Sequence, residues 1–275
     1  MTMTVGAIII GDEILSGRRA DKHLPKLIEL LSARGLSLSW ARYLGDDRQR
    51  LSAALADAFA STDVVFSFGG IGATPDDHTR QCAAAALGQD LVLHPEAKLL
   101  IEARMRDMAA EKGEVFDPNA PDNVHRLNMG VFPTSARIIP NPYNKIPGFS
   151  CDSPGGGAVH FVPGFPVMAW PMVEWVLDQH YSGRGAANAW AERSLVVFGS
   201  MEASLTPLML DIEARFEGVR IFSLPSVDHP QYGRHIELGV KGQPDQVDAA
   251  FAYMQTGLAQ FGAEIGPELV RKAHQ

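Results

Sequence analysis

The segment Asp63-Val64-Val65-Phe66-Ser67-Phe68-Gly69-Gly70-Ile71-Gly72-Ala73-Thr74-Pro75-Asp76-Asp77 constrains the fold more than any other part of the chain. Its short apolar run suits a strand buried on both faces, as in the centre of a parallel sheet. The glycines that follow let the backbone turn tightly and approach a ligand closely. Thr74 then reads as a helix cap, with Pro75 at the first helical position. A helix N-terminus leaves N–H groups unpaired and carries a positive dipole end, so strand, turn and helix together make a cradle for an anion. The segment is not a P-loop, because no Gly-Lys-Ser/Thr follows, and it lacks the dinucleotide fingerprint spacing.

The flanking sequence alternates in the same way. Val5 to Ile10 is a second continuous apolar run. A helix is expected from about Ala20 to Arg34, stopped by Gly35, then a strand from Leu36 to Leu44. Leu51, Ala54, Leu55, Ala58 and Phe59 mark the next helix, and further helices are expected from about Pro75 to Leu87, from Pro95 to about Lys112, and after the Pro163-Gly164-Phe165-Pro166 turn to about Tyr181. Such alternation predicts βαβ units around a mainly parallel sheet. Gly113 to Arg126 has no periodicity and reads as a loop, and Pro133 to Gly157 as functional loops or turns. Ser182 to Asn188 is the best boundary, and the strands and helices beyond it follow an α+β order. The expected domains are residues 1–185, α/β, and 186–275, small and α+β.

Three acid-bearing loops follow strands: Gly11-Asp12-Glu13-Ile14-Leu15-Ser16-Gly17, Gly45-Asp46-Asp47 and the Gly69 turn. In a parallel sheet, loops at the carboxyl ends of strands share one ligand-binding edge. Asp77 stands three residues after Thr74 and so serves either a capping box or ligand chemistry. Asp47 by itself reads as an N-cap. Adjacent acids would repel an anion, so a divalent metal such as Mg²⁺ bridging carboxylate and phosphate is the natural resolution.

A formal net charge of −8 argues against a protein that coats nucleic acid or an anionic membrane. Residues 190–275 hold seven Lys/Arg against eleven Asp/Glu and no Gly-x-x-Gly loop, so nucleic-acid binding is not expected there. No run approaches the roughly 18 apolar residues that span a bilayer. The apolar N-terminus breaks at Gly11-Asp12-Glu13 and reads as a strand, not a leader. Cys82 and Cys151 are too few for a disulfide framework and fit a reducing cytoplasm. A cytoplasmic protein is expected.

The three loops, together with Asn141-Pro142, Pro147-Gly148-Phe149 and Pro163-Gly164-Phe165-Pro166, resemble in order the N-terminal part of CinA-type competence/damage-inducible proteins. Those belong to the wider molybdopterin-binding (MoaB/Mog) domain family, and the resemblance runs over roughly residues 4–181. Residues 190–265 are similar to the small KH-like domain that follows in CinA proteins. The amidohydrolase domain that often ends those chains has no room here, so nicotinamide-nucleotide deamidation is not expected. The resemblance implies a three-layer αβα sandwich. It also implies two chemistries: adenylylation of molybdopterin with ATP and Mg²⁺, in which the acid at Asp77 is important, or metal-dependent hydrolysis of ADP-ribose-like pyrophosphates.

On both grounds Asp76 and Asp77 are the candidate catalytic acids, and Asp77 and Asp12 the candidate metal ligands. The expected ligand contacts are Gly11, Asp12, Glu13, Ser16, Gly17, Asp47, Gly69, Gly70, Gly72, Thr74, Asn141, Pro147, Gly148, Pro163 and Gly164. The expected ligand is a pterin, molybdopterin above all, or a nucleotide, held by a homo-oligomer, dimer or trimer. Departures from the family pattern fall at Asp21-Lys22-His23, Asn128-Met129, Asn144-Lys145-Ile146 and Met168. They motivate a third reading, a catalytically silent assembly or regulatory subunit. His23 and Lys145, in the altered loops, are candidates for phosphate contact. His94, His125, His160, His229 and His235 lack metal-ligand spacing and are expected on surfaces or loops. Met168, Trp170, Met172 and Trp175 form a helical stripe expected in the core or a subunit interface.

Overall fold

A computed structural model describes residues 3–184 and 191–269. Two compact units divide after Arg184. The expected boundary at 185/186, linker residues 185–188, Arg271 and Lys272 lie outside the described residues.

The first unit runs β1 (Val5–Ile10), α1 (Asp12–Leu15), α2 (His23–Ser32), β2 (Trp40–Leu44), α3 (Arg48–Ala60), β3 (Val64–Phe68), α4 (Thr79–Leu87), β4 (Leu91–Leu93) and α5 (Pro95–Lys112). It continues with α6 (Pro121–Arg126), a 3₁₀ turn (Leu127–Gly130), β5 (Val131–Pro133), β6 (Arg137–Ile139), β7 (Gly148–Asp152), β8 (Ala158–Val162) and α7 (Pro166–His180). The main sheet has the order β2-β1-β3-β8-β7-β6. The β2–β1, β1–β3 and β3–β8 pairs are parallel, and β7 runs against both its neighbours.

Successive side chains of a strand point to opposite faces, and β1 uses both for packing. Val5, Ala7 and Ile9 join Leu27 and Leu31 of α2 and Val173 and Val176 of α7. Ile8 and Ile10 join Leu51 and Leu55 of α3 and Ala83 of α4. Helices on both sides of a buried, mostly parallel sheet make the three-layer αβα sandwich. Met172 is wholly buried, and Met168, Trp170 and Trp175 pack against the same cluster, so the Met/Trp stripe is core.

Several local expectations give way to tertiary hydrogen bonding. α4 begins at Thr79, not Pro75, and its N-cap position is His78. The Asp77 carboxylate accepts from both the N–H and the hydroxyl of Thr74, while the Asp77 N–H donates to the Thr74 carbonyl. Residues 74–77 therefore close a turn of their own. β2 starts at Trp40 because the Leu36 N–H returns to the Leu31 carbonyl. The stretch read as a loop over 113–126 contains α6, which opens with Pro121 at its first turn. The Pro/Gly-rich stretch contains β6 and β7. His160, expected on the surface or in a loop, is a wholly buried residue of β8, bonded through Nδ1 to Ser150 Oγ (2.7 Å) and through Nε2 to the Tyr181 hydroxyl (2.8 Å). His235 is also buried, on a strand of the second unit.

The second unit runs β9 (Ala191–Phe198), α8 (Glu202–Arg215), β10 (Arg220–His229), β11 (Gly233–Gly242), α9 (Pro244–Gln260) and β12 (Glu264–Leu269). Its antiparallel sheet, ordered β10-β11-β9-β12, packs with both helices around Leu195, Val197, Leu205, Ile212, Leu238 and Phe251. Strand β12 was not foreseeable from its pattern: Glu264, Pro267 and Glu268 interrupt it, and its register shifts between Ile265 and Glu268. A Gly-x-x-Gly spacing does occur, at Gly239 to Gly242, but on β11 between paired strands rather than in a loop.

Candidate functional site

The parallel strands β1, β2, β3 and β8 all end at one edge, and the chain leaves them through Gly11, Gly45, Gly69 and Pro163. The loop between β6 and β7 arrives at the same edge, because β6 runs in the direction of β8. The glycine turn is built there by necessity. Gly69 has φ +99°, and a Cβ on it would stand 2.7 Å from the Ile10 carbonyl oxygen. Gly70 has φ +68°, and a Cβ on it would run into the Thr79 hydroxyl. Only glycine meets both demands without strain.

The turn's carbonyls are claimed by the start of α4. Gly69 O accepts from the Thr79 hydroxyl (3.1 Å), Gly70 O from the Thr79 N–H (3.1 Å) and Ile71 O from the Arg80 guanidinium (2.7 Å). The Gly69 N–H donates to Val162 O. Among the described residues, the N–H groups of Gly70, Ile71, Gly72 and Ala73 have no partner within the fold. All four residues line a cavity of about 460 Å³. Consecutive unpaired backbone N–H groups around a concavity form an anion nest.

The loops supply the rest of the lining: Gly11 and Glu13 after β1, Asp46 after β2, Thr74, Asp76 and Asp77 beyond the glycines, and Pro163 and Gly164 after β8. Asn141 and Pro147 come from the β6–β7 loop. Asn141 is fully engaged in shaping that loop, donating to Asn144 Oδ1 (2.8 Å) and Ile146 O (2.9 Å) and accepting from the Tyr143 N–H (3.0 Å). Twelve of the expected site residues thus meet around one cavity: Gly11, Glu13, Gly69, Gly70, Gly72, Thr74, Asp76, Asp77, Asn141, Pro147, Pro163 and Gly164.

Five do not line it. Asp47 caps α3, its Oδ1 accepting from the Arg50 N–H at 2.8 Å. Its neighbour Asp46 takes the place at the cavity. Asp12 is turned to the Asp46 backbone. Ser16 and Gly17 close the end of α1, and Gly148 packs its Cα against the Phe161 carbonyl and Met172. Arg19 was missed by sequence reasoning, Asp46 and Phe165 were named only within their motifs, and Met129, Asn144 and Met168 only as family departures. Asp46 carried a signal, since Asp46-Asp47 offers one acid to cap and another to face the ligand edge.

Charge on the lining is lopsided: Glu13, Asp46, Asp76 and Asp77 against Arg19, which lies 3.8 Å from Glu13. Burial holds the Asp46 carboxyl above the usual carboxylate range, and the nearby charges of Asp12, Asp76 and Glu13 push it the same way. The pairing of Asp12 with Asp77 as metal ligands is not built, and no cluster of three or more metal-binding side chains occurs among the described residues. The charged donors at the cavity, the carboxylates of Glu13, Asp46, Asp76 and Asp77, are hard oxygens. They fit a Mg²⁺-like ion that keeps its waters and shares a ligand's phosphate, not a resident metal in a protein cage.

Among the family departures, Met168 and Asn144 meet at this cavity, with Asn144 Nδ2 donating to Met168 Sδ (3.2 Å). His23 lines an adjoining cavity of about 280 Å³ that shares Glu13 and Arg19 with the first. Lys145 is turned away, paired with Asp107 at 2.5 Å, which removes it as a phosphate contact in this arrangement.

Residues 6–181 match a family described as a probable molybdopterin binding domain. A CinA-like protein of Anaeromyxobacter dehalogenans is 35% identical over 269 residues, 96% of this chain and 61% of that protein. A CinA-like protein of Syntrophotalea carbinolica is 31% identical over 228 residues, 78% of this chain and 52% of that protein. The chain therefore spans little more than half the length of these curated relatives. The crystal structure of CinA from Thermoplasma acidophilum, a protein described there as of unknown function, matches 64% of this chain and 96% of that one, at 28% identity and a TM-score of 0.53.

Proposed function

This chain belongs to the molybdopterin-binding domain family and is CinA-like in sequence, and from that premise we propose that its first unit binds a phosphorylated pterin or nucleotide at the carboxyl edge of the sheet. The observation that carries the reading is the run of four backbone N–H groups, from Gly70 to Ala73, without a partner among the described residues, in residues that line the cavity. They hold a terminal phosphate, as fixed donors that need no rearrangement. The apolar residues Ile146, Pro147, Phe165 and Met168 line the same cavity and receive a flat ring.

Two reactions are open to such a site. Adenylyl transfer to the bound pterin is the first. The acid-rich lining favours the second, hydrolysis of an ADP-ribose-like pyrophosphate. A divalent ion, when bound with the phosphate, supplies charge neutralisation and polarises the phosphorus. This chain's own part is to hold the phosphate on the nest, to set Asp46 and Asp76 against the ion, and to exclude bulk water with Phe165 and Met168.

The test is a binding and turnover assay of the full chain with ADP-ribose, FAD, and ATP plus molybdopterin, each with Mg²⁺, Mn²⁺ or Co²⁺. Pterin-dependent pyrophosphate release supports adenylyl transfer, and AMP release from ADP-ribose supports hydrolysis. Binding without turnover supports a carrier or regulatory role. Absence of binding to all of them overturns the proposal.

A further inference from the structure

The turn over residues 73–77 has a second face. Behind it lies a separate cavity of about 390 Å³, bounded by the first residue of α3, the start of α4, and α6 with its 3₁₀ turn. Ala73, Thr74 and Asp77 line both cavities, so the turn is a partition between them. Among the described residues Asp77 carries the one carboxylate of the rear lining; it lies within electrostatic reach of Arg80, and its Oδ2 is already held by the Thr74 N–H and hydroxyl. Arg48 and Arg80 bring two guanidinium groups to the same lining, with the imidazoles of His78 and His125 beside them.

Arg80 is the unusual member. It is 5% exposed, yet its guanidinium makes one hydrogen bond, to the neutral Ile71 carbonyl, and no salt bridge among the described residues. A guanidinium has five N–H donors, and burying such a cation without a hydrogen-bonded counter-ion is costly. Its unbonded nitrogens are not among the buried atoms sealed from solvent, so they reach the cavity they line. Arg48 likewise makes no ion pair among the described residues, in a chain whose acids outnumber its bases.

We propose that this rear cavity is a second binding site, for the phosphate group of a small molecule, separate from the nest on the front of the turn. Two guanidinium groups match the paired oxygens of a phosphate, which gives Arg80 a hydrogen-bonded counter-ion beyond the nearby charge of Asp77. The inference does not rest on the reading of the front site.

The experiment is an NMR titration of the full chain with inorganic phosphate and, separately, with AMP, following backbone amides on each side of the turn. The expected result is a saturable shift of Gln81, Asn128 and Val131 with one common curve. Arg48→Gln weakens that curve about tenfold or more, the loss expected for a charge-assisted hydrogen bond. Arg80→Lys keeps the charge but loses the fork, and weakens it similarly with the fold intact by melting temperature. A tighter response to AMP than to phosphate identifies a phosphomonoester as the occupant, and an equal response identifies free phosphate. Shifts confined to Gly164, Met168 and the other front residues overturn the proposal. So does an Arg48→Gln curve identical to wild type, or no saturation by concentrations on the order of 10 mM.

Discussion

Asp12 and Asp46 hold each other reciprocally: the Asp12 N–H donates to Asp46 Oδ2 at 3.0 Å, and the Asp46 N–H donates to Asp12 Oδ1 at 3.3 Å. This clasp ties the loop after β1 to the loop after β2 and fixes which acid of each reaches the cavity. Glu13 and Asp46 line it, and Asp12 and Asp47 do not.

Neutralising Asp46 separates its charge from its place in the clasp. Asp46→Asn keeps an oxygen to accept the Asp12 N–H. The carboxyl of Asp46 titrates above its ordinary value in the folded protein, so its ionised form costs stability at neutral pH. The variant should melt at or slightly above the wild-type temperature, within about 2 °C. Affinity for a phosphorylated ligand should lose its dependence on Mg²⁺. A drop in melting temperature of several degrees would show that the acid is needed for structure instead.

Asp47 offers the converse test. As the N-cap of α3, its replacement by alanine should cost about 1 kcal/mol in denaturant unfolding. Ligand affinity measured by calorimetry should not change, because Asp47 is absent from the cavity wall. Weakened binding at unchanged stability would return Asp47 to the site.

Asp77 combines both roles in one side chain. Its Oδ2 receives the N–H and hydroxyl of Thr74, so it braces the turn that carries the unpaired donors. Asp77→Asn retains an acceptor oxygen and should unfold within about 0.5 kcal/mol of wild type. Asp77→Ala leaves the Thr74 donors without their acceptor and should lose about 1–2 kcal/mol. If Asp77 acts only as a brace, ligand affinity follows stability across the two variants. If its charge also serves the ligand, Asp77→Asn loses affinity while remaining folded.

Much of this was legible because it rests on local rules. Val5 to Ile10 and Val64 to Phe68 announced buried strands, and the glycines at 69 and 70 announced a turn that no other residue tolerates. What escaped depended on partners distant in sequence. The start of α4 moved to Thr79 because the Thr79 N–H and hydroxyl, with Arg80, serve the glycine-turn carbonyls. The choice between Asp46 and Asp47 turned on a bond to Asp12, 34 residues away. Arg19 stands in the segment after α1, where its N–H donates to the Glu13 carbonyl, and no spacing in the chain records its place at the cavity.

His160 gives the pH prediction. It is wholly buried on β8, both ring nitrogens are engaged by Ser150 and Tyr181, and burial, with the charges of His180 and Arg137, pushes its pKa down to about 3. Unfolded, the ring returns to a pKa of about 6.5. Between these values the unfolded chain binds a proton that the folded one refuses. The contribution of the neutral ring is therefore fully present above about pH 6.5 and is lost as the pH falls toward 3, at up to about 1.4 kcal/mol per pH unit. His160→Gln, whose amide can still bond to a neighbour, lacks this term. Urea unfolding of both proteins between pH 7 and pH 4 should give a wild-type stability that declines more steeply than the variant's. Parallel curves would mean that the folded ring takes up its proton over the same pH range as the unfolded one, and would overturn the prediction.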